Sequence, residues 1–418
     1  MARGFNVRIL SLDTPAKIRA EMDKIGASAP GIEIMSPKAS LRAIKLEGLN
    51  FAAANILKQE MLSRGGEAVA SRVVYSAKES DSDVLLLGTL RHYQDLVRKL
   101  HMQPFKSLRA IATEVEQALA RYSGDELRPL AVADTTFNWG ERTYVMGVVN
   151  VTPDSFSGDG LGHDAEGALA QAERMIEEGA DIIDVGGEST RPGSEPLSGE
   201  EELRRVIPVI EGLARRVDIP VSIDTYKAQV AEEALAAGAH LVNDVWGLRM
   251  DPSLADVVAR HRVPVVVMHN RSRPKDAAQT ERLGGRYLGV EYEDLMGDVI
   301  RELRESISLA LDAGVEREKI IVDPGIGFGK TVEQNLQLVG ELSELKVLGR
   351  PILVGPSRKS FIGYTLDLPP EERMEGTAAA VAIGIASGAD IVRVHDVREM
   401  VRVSRMTDAI VRRQGAKP

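Results

Sequence analysis

Cysteine is absent from this sequence, and that one absence excludes disulfides, thiolate-held metals and cysteine nucleophiles together. Aromatic residues are few, at 4%. A surplus of basic charge is also missing: the formal net charge is -10, which argues against a general binder of nucleic acid or anionic membrane, since both rely on a basic footprint. Residues 1–140 carry 19 Lys and Arg against 16 Asp and Glu, and the remainder 33 against 46, so neither part is a polyanion-binding surface. No stretch approaches the roughly 18 apolar residues of a membrane span. The opening MARGFNVRIL has no apolar core of a secretory leader. A soluble cytoplasmic protein is the expectation.

What is present is an ordinary globular composition, 44% hydrophobic and 27% charged, in a chain of 418 residues. That length exceeds what one core usually carries, so two domains are expected. From about residue 143 onward, β-branched runs alternate with helix-length segments. The runs are TYVMGVVNV, DIIDVGG, VSIDT, LVNDV, VPVVVMH, IIVDPG, PILVGPS and IVRVHD. Each is nearly continuous in apolar character, as parallel strands buried on both faces must be. Segments such as AEGALAQAERMIEEG and AQVAEEALAAG supply the intervening helices. Eight such units predict an α/β fold, a (β/α)8 TIM barrel, with a doubly wound open sheet as the alternative.

Polar residues gather where those runs end: Asn150, then Glu188 to Arg191, Asp224, Asn243, Met268 to Asn270, Asp323, Ser357 to Ser360, and Arg393 with His395. In a barrel these ends meet at one mouth, where barrel active sites lie. The stretch DPGIGFGKT at residues 323–331 resembles a phosphate loop, but the first glycine of a Walker A motif is replaced by Pro324. It reads instead as a strand exit, with Pro324 stopping the ladder and the glycines permitting a tight turn and close ligand approach. Taken alone, Asp224 or Asn243 would read as a helix cap after a strand. His269 points away from the face that Met268 occupies and reads as structural.

Eight motifs in register carry a specific resemblance. NVTPDSFS (150–157), GGESTRPG (186–193), SIDT (222–225), VND (242–244), MHNR (268–271), DPGIGFGK (323–330), SRKSFIG (357–363) and RVHDV (393–397) are similar to the motif set of the dihydropteroate synthase family, over residues 135–412. The resemblance implies a cytoplasmic folate-pathway transferase that joins p-aminobenzoate to 6-hydroxymethyl-7,8-dihydropterin pyrophosphate with Mg²⁺. It also implies a homodimer, sensitivity to sulfonamides, and small-molecule substrates with no nucleic acid or membrane partner.

The residues suit that chemistry. A pterin carries a flat 2-aminopyrimidinone edge, so a buried carboxylate opposite its donors and amides beside its acceptors would fix it. Asp323, Asn243 and Asp224 are the candidates. A departing pyrophosphate needs cations or strong donors, and Arg191, Arg393, His395 and Lys359 form the expected positive cluster. Among these, Asp224, Asp323, Lys359 and Arg393 are assigned to catalysis. By the resemblance, Asn150 contacts metal and pyrophosphate, Arg393 stacks on the pterin, and Lys359 reaches its ring. Thr190, Arg191, Pro192, Phe328 and Ser360 shape the aminobenzoate pocket, and Met268 contacts substrate. The implied mechanism is dissociative, through a stabilised pterin methylene cation, and requires no strong general base.

One departure stands out. The family pattern places an acid directly after SFS and before two glycines, whereas here the order is Gly158-Asp159-Gly160, so Asp159 is the candidate loop acid, shifted by one residue. Two other functions compete. One is a methyltetrahydrofolate-type pterin methyltransferase, against which Lys359 and the Arg393/His395 pair discriminate. The other is a non-catalytic pterin-binding protein.

Residues 1–130 carry no recognised motif and read as a smaller α/β or α+β domain of unknown function, ahead of a barrel domain over 131–418. VRIL, RAIKLEGL, EAVASRVVY and DVLLLGT read as strands, and TPAKIRAEMDKIG, FAAANILKQEMLSRGG and FKSLRAIATEVEQALARY as helices. YSGDELRP is the expected linker. FNWGERTY reads as a hairpin leading into the barrel, with its turn near Trp139-Gly140.

Overall fold

The computed structural model describes residues 5–12, 14–72, 81–124, 126–151, 161–189, 196–273, 276–280, 282–288 and 291–412, with the side chains of 161–164 left out. The chain divides into two compact units, residues 1–120 and 121–418. The division falls ten residues before the expected boundary, inside the helix Lys106–Ser123.

In the first unit, three strands form an antiparallel sheet: β1 (Leu41–Leu49), β2 (Glu67–Ala70) and β3 (Ser82–Thr89), with β3 in the centre. Residues of β3 alternate buried and exposed, so one face packs and the other is open. The helix Leu90–His101 packs on that face because Tyr93, Leu96, Val97 and Leu100 recur at helical spacing and are buried. Its start is fixed by a reciprocal cap, in which Thr89 Oγ1 accepts from the His92 amide and Thr89 N donates to His92 Nδ1. The Tyr93 hydroxyl lies 2.8 Å from the Leu86 carbonyl and 2.9 Å from that of Arg42, tying the helix to two strands. Sequence periodicity missed this helix and Ala29–Ala39. VRIL is not a strand: it lies outside the three-stranded sheet, and Val7 and Ile9 are exposed.

The second unit opens with a hairpin, β4 (Leu130–Val132) and β5 (Thr135–Phe137). Its turn is at Ala133-Asp134, with Ala133 at φ +49°, and not near Trp139-Gly140, which follow the hairpin. The eight expected runs all become strands: β6 (Tyr144–Asn150), β7 (Ile182–Gly186), β8 (Val221–Asp224), β9 (Leu241–Asp244), β10 (Val265–Met268), then β13 (Ile320–Asp323), β14 (Leu353–Val354) and β15 (Ile391–Val394). A further hairpin, β11 (Ala277–Thr280) and β12 (Gly284–Tyr287), interrupts the series and was not foreseen.

All eight pair in parallel, in the order β13, β10, β9, β8, β7, β6, β15, β14. A parallel bridge between Val322 and Ile352 joins the two ends, so the sheet is a closed TIM barrel and not an open sheet. Alternate residues of each strand face inward. The lowest inward layer is apolar, built from Tyr144, Met146, Ile182, Leu241, Val266, Ile321, Leu353 and Ile391, and the β4–β5 hairpin seals it with Leu130, Val132 and Phe137. One inward position further along, β7, β9, β10, β13 and β15 carry Asp184, Asn243, Met268, Asp323 and Arg393, and β8 carries Asp224 above the buried Ser222. The bottom is thus plugged by hydrocarbon and the chemistry is placed at the other end. Among the described residues, no helix is long and apolar enough to cross a membrane.

Candidate active site

Burying ionisable side chains inside a barrel costs heavily unless each finds a partner, and the mouth residues are arranged accordingly. Arg393 on β15 donates through Nε to Asp184 Oδ2 at 2.6 Å and through Nη2 to Asp224 Oδ2 at 2.6 Å. Burial works against the Arg393 charge, yet Asp184 and Asp224 outweigh it and hold its pKa above the ordinary value. Asp184 also accepts from Asn243 Nδ2 at 3.0 Å. An ionised carboxylate only accepts, so this contact turns the carboxamide oxygen of Asn243 away from Asp184, leaving it to meet a ligand donor. Among the described residues, the buried Asp184 Oδ1 has no hydrogen-bond partner.

Burial raises the Asp224 carboxyl to about 7, even with Arg393 beside it. Neither Asp224 nor Asn243 caps a helix. Asp244 instead closes the turn after β9, its carboxylate accepting from the amides of Trp246 and Leu248 at 2.8 and 2.5 Å. Asn150 stands at the exit of β6, in register with Gly186 of β7, which in turn pairs with Asp224. A Cβ on Gly186 would lie 3.6 Å from Asp224 Oδ2 and 3.8 Å from Asn150 Oδ1, so the glycine sits between these two side chains.

The sixth exit has the geometry its glycines suggest. Gly325, Gly327 and Gly329 have φ of +71°, +81° and +58°, a region costly for other residues. Closeness matters as much as torsion: a Cβ on Gly325 would lie 1.9 Å from the His269 carbonyl oxygen. Asp323 Oδ1 accepts from the Gly325 amide at 2.7 Å, and burial raises its pKa. Lys330 Nζ donates to the Gly325 and Phe328 carbonyls at 3.0 and 3.1 Å and lies 2.9 Å from His269 Nδ1. Burial lowers the Lys330 ammonium to about 7. His269 Nε2 lies 3.2 Å from Glu302, and burial with the Lys330 charge pushes His269 to about 3. His269 is therefore neutral and structural, as its strand position suggested.

Above this loop, Lys359 Nζ lies 3.9 Å from the centre of the Phe328 ring, a cation–π contact. Burial, with repulsion from Arg393, lowers Lys359 to about 7. Phe328, Met268 and Val245 form an apolar patch with Tyr226 and Trp246 partly buried against it. Ser360 begins the helix Ser360–Leu366. His395 Nδ1 lies 3.0 Å from Ser357 Oγ. Burial and the charges of Arg393 and Arg358 lower His395 to about 4.

Of the expected positive cluster, His395 is held neutral at pH 7, Lys359 is lowered to about 7, and the Arg393 guanidinium faces two carboxylates. Glu188, at the exit of β7, is held by Lys227 and by the Leu197 amide at 3.1 Å and acts as a loop anchor. Asp159, Thr190, Arg191 and Pro192 lie outside the described residues. Sequence reasoning missed Asp184 and Lys330. The signal for both was available: an ionisable residue within an apolar run, or between a glycine turn and a helix cap, must be paired if buried.

Comparison with known proteins agrees with this geometry. The sequence profile described as "Pterin binding enzyme" matches residues 146–395. The dihydropteroate synthase of Clostridium beijerinckii is 53% identical over 285 residues, covering 68% of this chain and 100% of that one. A probable bifunctional folylpolyglutamate synthase/dihydropteroate synthase of Halobacterium salinarum is 41% identical over 400 residues, 95% of this chain and 46% of that protein, so its similarity extends into the first unit. Among solved structures, the Clostridium difficile dihydropteroate synthase determined in the presence of pteroic acid is 50% identical, with a TM-score of 0.61 over 66% of this chain and 99% of that one. The Xanthomonas albilineans dihydropteroate synthase with 4-aminobenzoic acid is 44% identical, with a TM-score of 0.61 over 68% and 97%. The chain belongs to the pterin binding enzymes and, within them, to the dihydropteroate synthases, which are transferases of folate biosynthesis.

Proposed function

We propose that the chain joins p-aminobenzoate to 6-hydroxymethyl-7,8-dihydropterin pyrophosphate. The observation that carries this reading is the bracket of Arg393 by Asp184 and Asp224, with Asn243, Asp323 and Lys359 around the same opening. A flat heterocycle with donors on one edge and acceptors on another matches that set. Asp323 faces the amino and ring N–H donors, and the Asn243 carbonyl and Asp224 accept beside it. Arg393 lies along the ring face, and Lys359 donates to a ring acceptor. Phe328, Ser360 and Met268 contact the aminobenzoate, and the resemblance assigns Thr190, Arg191 and Pro192 to the same pocket.

In the reaction, the bond between the pterin methylene carbon and a pyrophosphate oxygen breaks, and its electron pair leaves with pyrophosphate. The positive charge spreads into the pterin ring until the arylamine lone pair forms the new C–N bond. The amine then releases a proton to water. Arg191 and Arg393 oppose the charge growing on the leaving oxygen. His395, being neutral, contributes one N–H donor and no charge.

Among the described residues, no three His, Asp or Glu side chains form a metal cage. Mg²⁺ commonly takes one or two protein oxygens and completes its shell with phosphate oxygens and water, and the Asn150 carboxamide at the mouth fits that mode. When bound there with pyrophosphate, Mg²⁺ supplies charge neutralisation of the leaving group. Asp159 is a second candidate oxygen ligand on the first loop. The proposal includes a cytoplasmic homodimer, and light scattering at micromolar concentration checks the dimer.

The test is detection by mass of 7,8-dihydropteroate from the two substrates and Mg²⁺. Product from the complete mixture supports the proposal, and no product with both substrates bound rejects it.

A further inference from the structure

We propose that Arg373, which lies outside every motif discussed above, is the positioning residue that aims Lys359 into the mouth. The proposal rests on the reading of Lys359 as a substrate contact.

Arg373 immediately precedes the helix Met374–Ala386 and is 2% exposed. Its guanidinium uses all three nitrogens on backbone carbonyls from three separate segments. Nε and Nη2 donate to Leu368 at 3.1 and 3.0 Å, Nη1 to Arg358 at 3.0 Å, and Nη2 also to Leu283 at 3.0 Å. Leu283 sits in the turn of the β11–β12 hairpin. That hairpin is further docked on the helix Ser360–Leu366, where the Tyr364 hydroxyl lies 3.0 Å from Thr280 Oγ1 and 3.2 Å from the Gly284 carbonyl. Space for the guanidinium is reserved by Gly363, where a Cβ would lie 2.1 Å from Arg373 Nη2.

Arg358 is the point on which this fork acts. It has φ +56°, a left-handed conformation costing a non-glycine residue roughly 1–2 kcal/mol. Such a conformation persists only where its surroundings over-determine it. Here the Arg358 amide donates to Thr377 Oγ1 at 3.0 Å, its carbonyl accepts from Arg373, and its own guanidinium pairs with Asp396 at 2.9 Å. The next residue is Lys359. Relaxing Arg358 toward an ordinary torsion therefore redirects Lys359 away from Phe328 and the mouth. A lysine at 373 retains charge but gathers its donors on one nitrogen, so it cannot span carbonyls spread across the guanidinium fork.

The experiment is a double-mutant cycle on the full chain, reading kcat/KM for the dihydropterin pyrophosphate below the melting temperature of every variant. Arg373→Lys is expected to lower kcat/KM by about tenfold when Lys359 is present, and by less than about threefold in the Lys359→Ala background, because residues acting through one another are non-additive. Thr377→Val removes the tether on the Arg358 amide and serves as a second variant; it is expected to show the same loss of effect once Lys359 is gone. Equal fold losses in both backgrounds overturn the proposal and leave Arg373 as scaffolding. If Lys359→Ala alone leaves kcat/KM unchanged, the Lys359 reading fails first, and the proposal with it.

Discussion

Asp184 holds Arg393 through a 2.6 Å contact between its Oδ2 and the guanidinium Nε, and Asp184 itself is fully buried. The same oxygen accepts from Asn243, so one carboxylate aims two side chains at the mouth. Removing one member of a buried pair leaves an uncompensated charge, typically at a cost of about 3–5 kcal/mol. Asp224 remains beside Arg393, so Asp184→Ala is expected to cost about 3 kcal/mol, read as a lower urea midpoint at unchanged slope. Pterin affinity should fall with it. An Asp184→Ala protein with wild-type midpoint and affinity would remove Asp184 from the site.

Asp323 is the buried carboxylate assigned to the donor edge of the pterin. Truncating a charged partner inside a recognition edge costs about 2–3 kcal/mol, or roughly 30–150-fold in affinity. Asp323→Ala should show that loss in calorimetric titration with a pterin ligand. Unchanged affinity would refute the assignment.

The acid–base state of the mouth predicts a narrow pH optimum. Lys359 is lowered to about 7 by burial and by Arg393, and Asp224 is raised to about 7 by burial. Because kcat/KM reports ionisations of the free enzyme, it should fall above about pH 7 as Lys359 loses its proton. It should also fall below that value as Asp224 gains one. Lys359→Met should abolish the alkaline limb, and a wild-type profile flat up to about pH 9 would contradict this.

Stability carries the opposite signature on the alkaline side. The ordinary lysine pKa is 10.5, whereas Lys359 and Lys330 both lie near 7 in the folded chain. Between those values the unfolded chain binds more protons, so stability rises with pH across that window. Urea midpoints should climb from pH 7 towards 10, and less steeply in Lys330→Met.

Gly325→Ala tests the loop geometry. The substitution adds a left-handed penalty of about 1–2 kcal/mol to a Cβ placed 1.9 Å from the His269 oxygen. A lower melting temperature together with weakened pterin binding is expected. A melting temperature equal to wild type would show that the loop does not need glycine there.

Much of the barrel was legible because parallel strands buried on both faces must be apolar throughout, and the eight runs therefore announced themselves. Mouth residues were legible because each breaks an apolar run at the same end. Asp184 was harder to see, since it lies one inward position below that end and acts through Arg393, a partner 209 residues away. Lys330 was absorbed into a glycine motif, although its ammonium is what holds the Gly325 and Phe328 carbonyls. The charge of His395 could not be read from sequence, because it depends on burial and on Arg358 and Arg393 in space. In the first unit, VRIL looked like a strand by composition but lacked a partner, and helix Leu90–His101 was obscured because it follows directly on β3.

The most direct test of the account is pyrophosphate release from 6-hydroxymethyl-7,8-dihydropterin pyrophosphate and Mg²⁺, with and without p-aminobenzoate, by the wild type and by Lys359→Ala. The account predicts release that depends on p-aminobenzoate in the wild type and is severely reduced in the variant. Equal release by both proteins, or wild-type release indifferent to p-aminobenzoate, would contradict it.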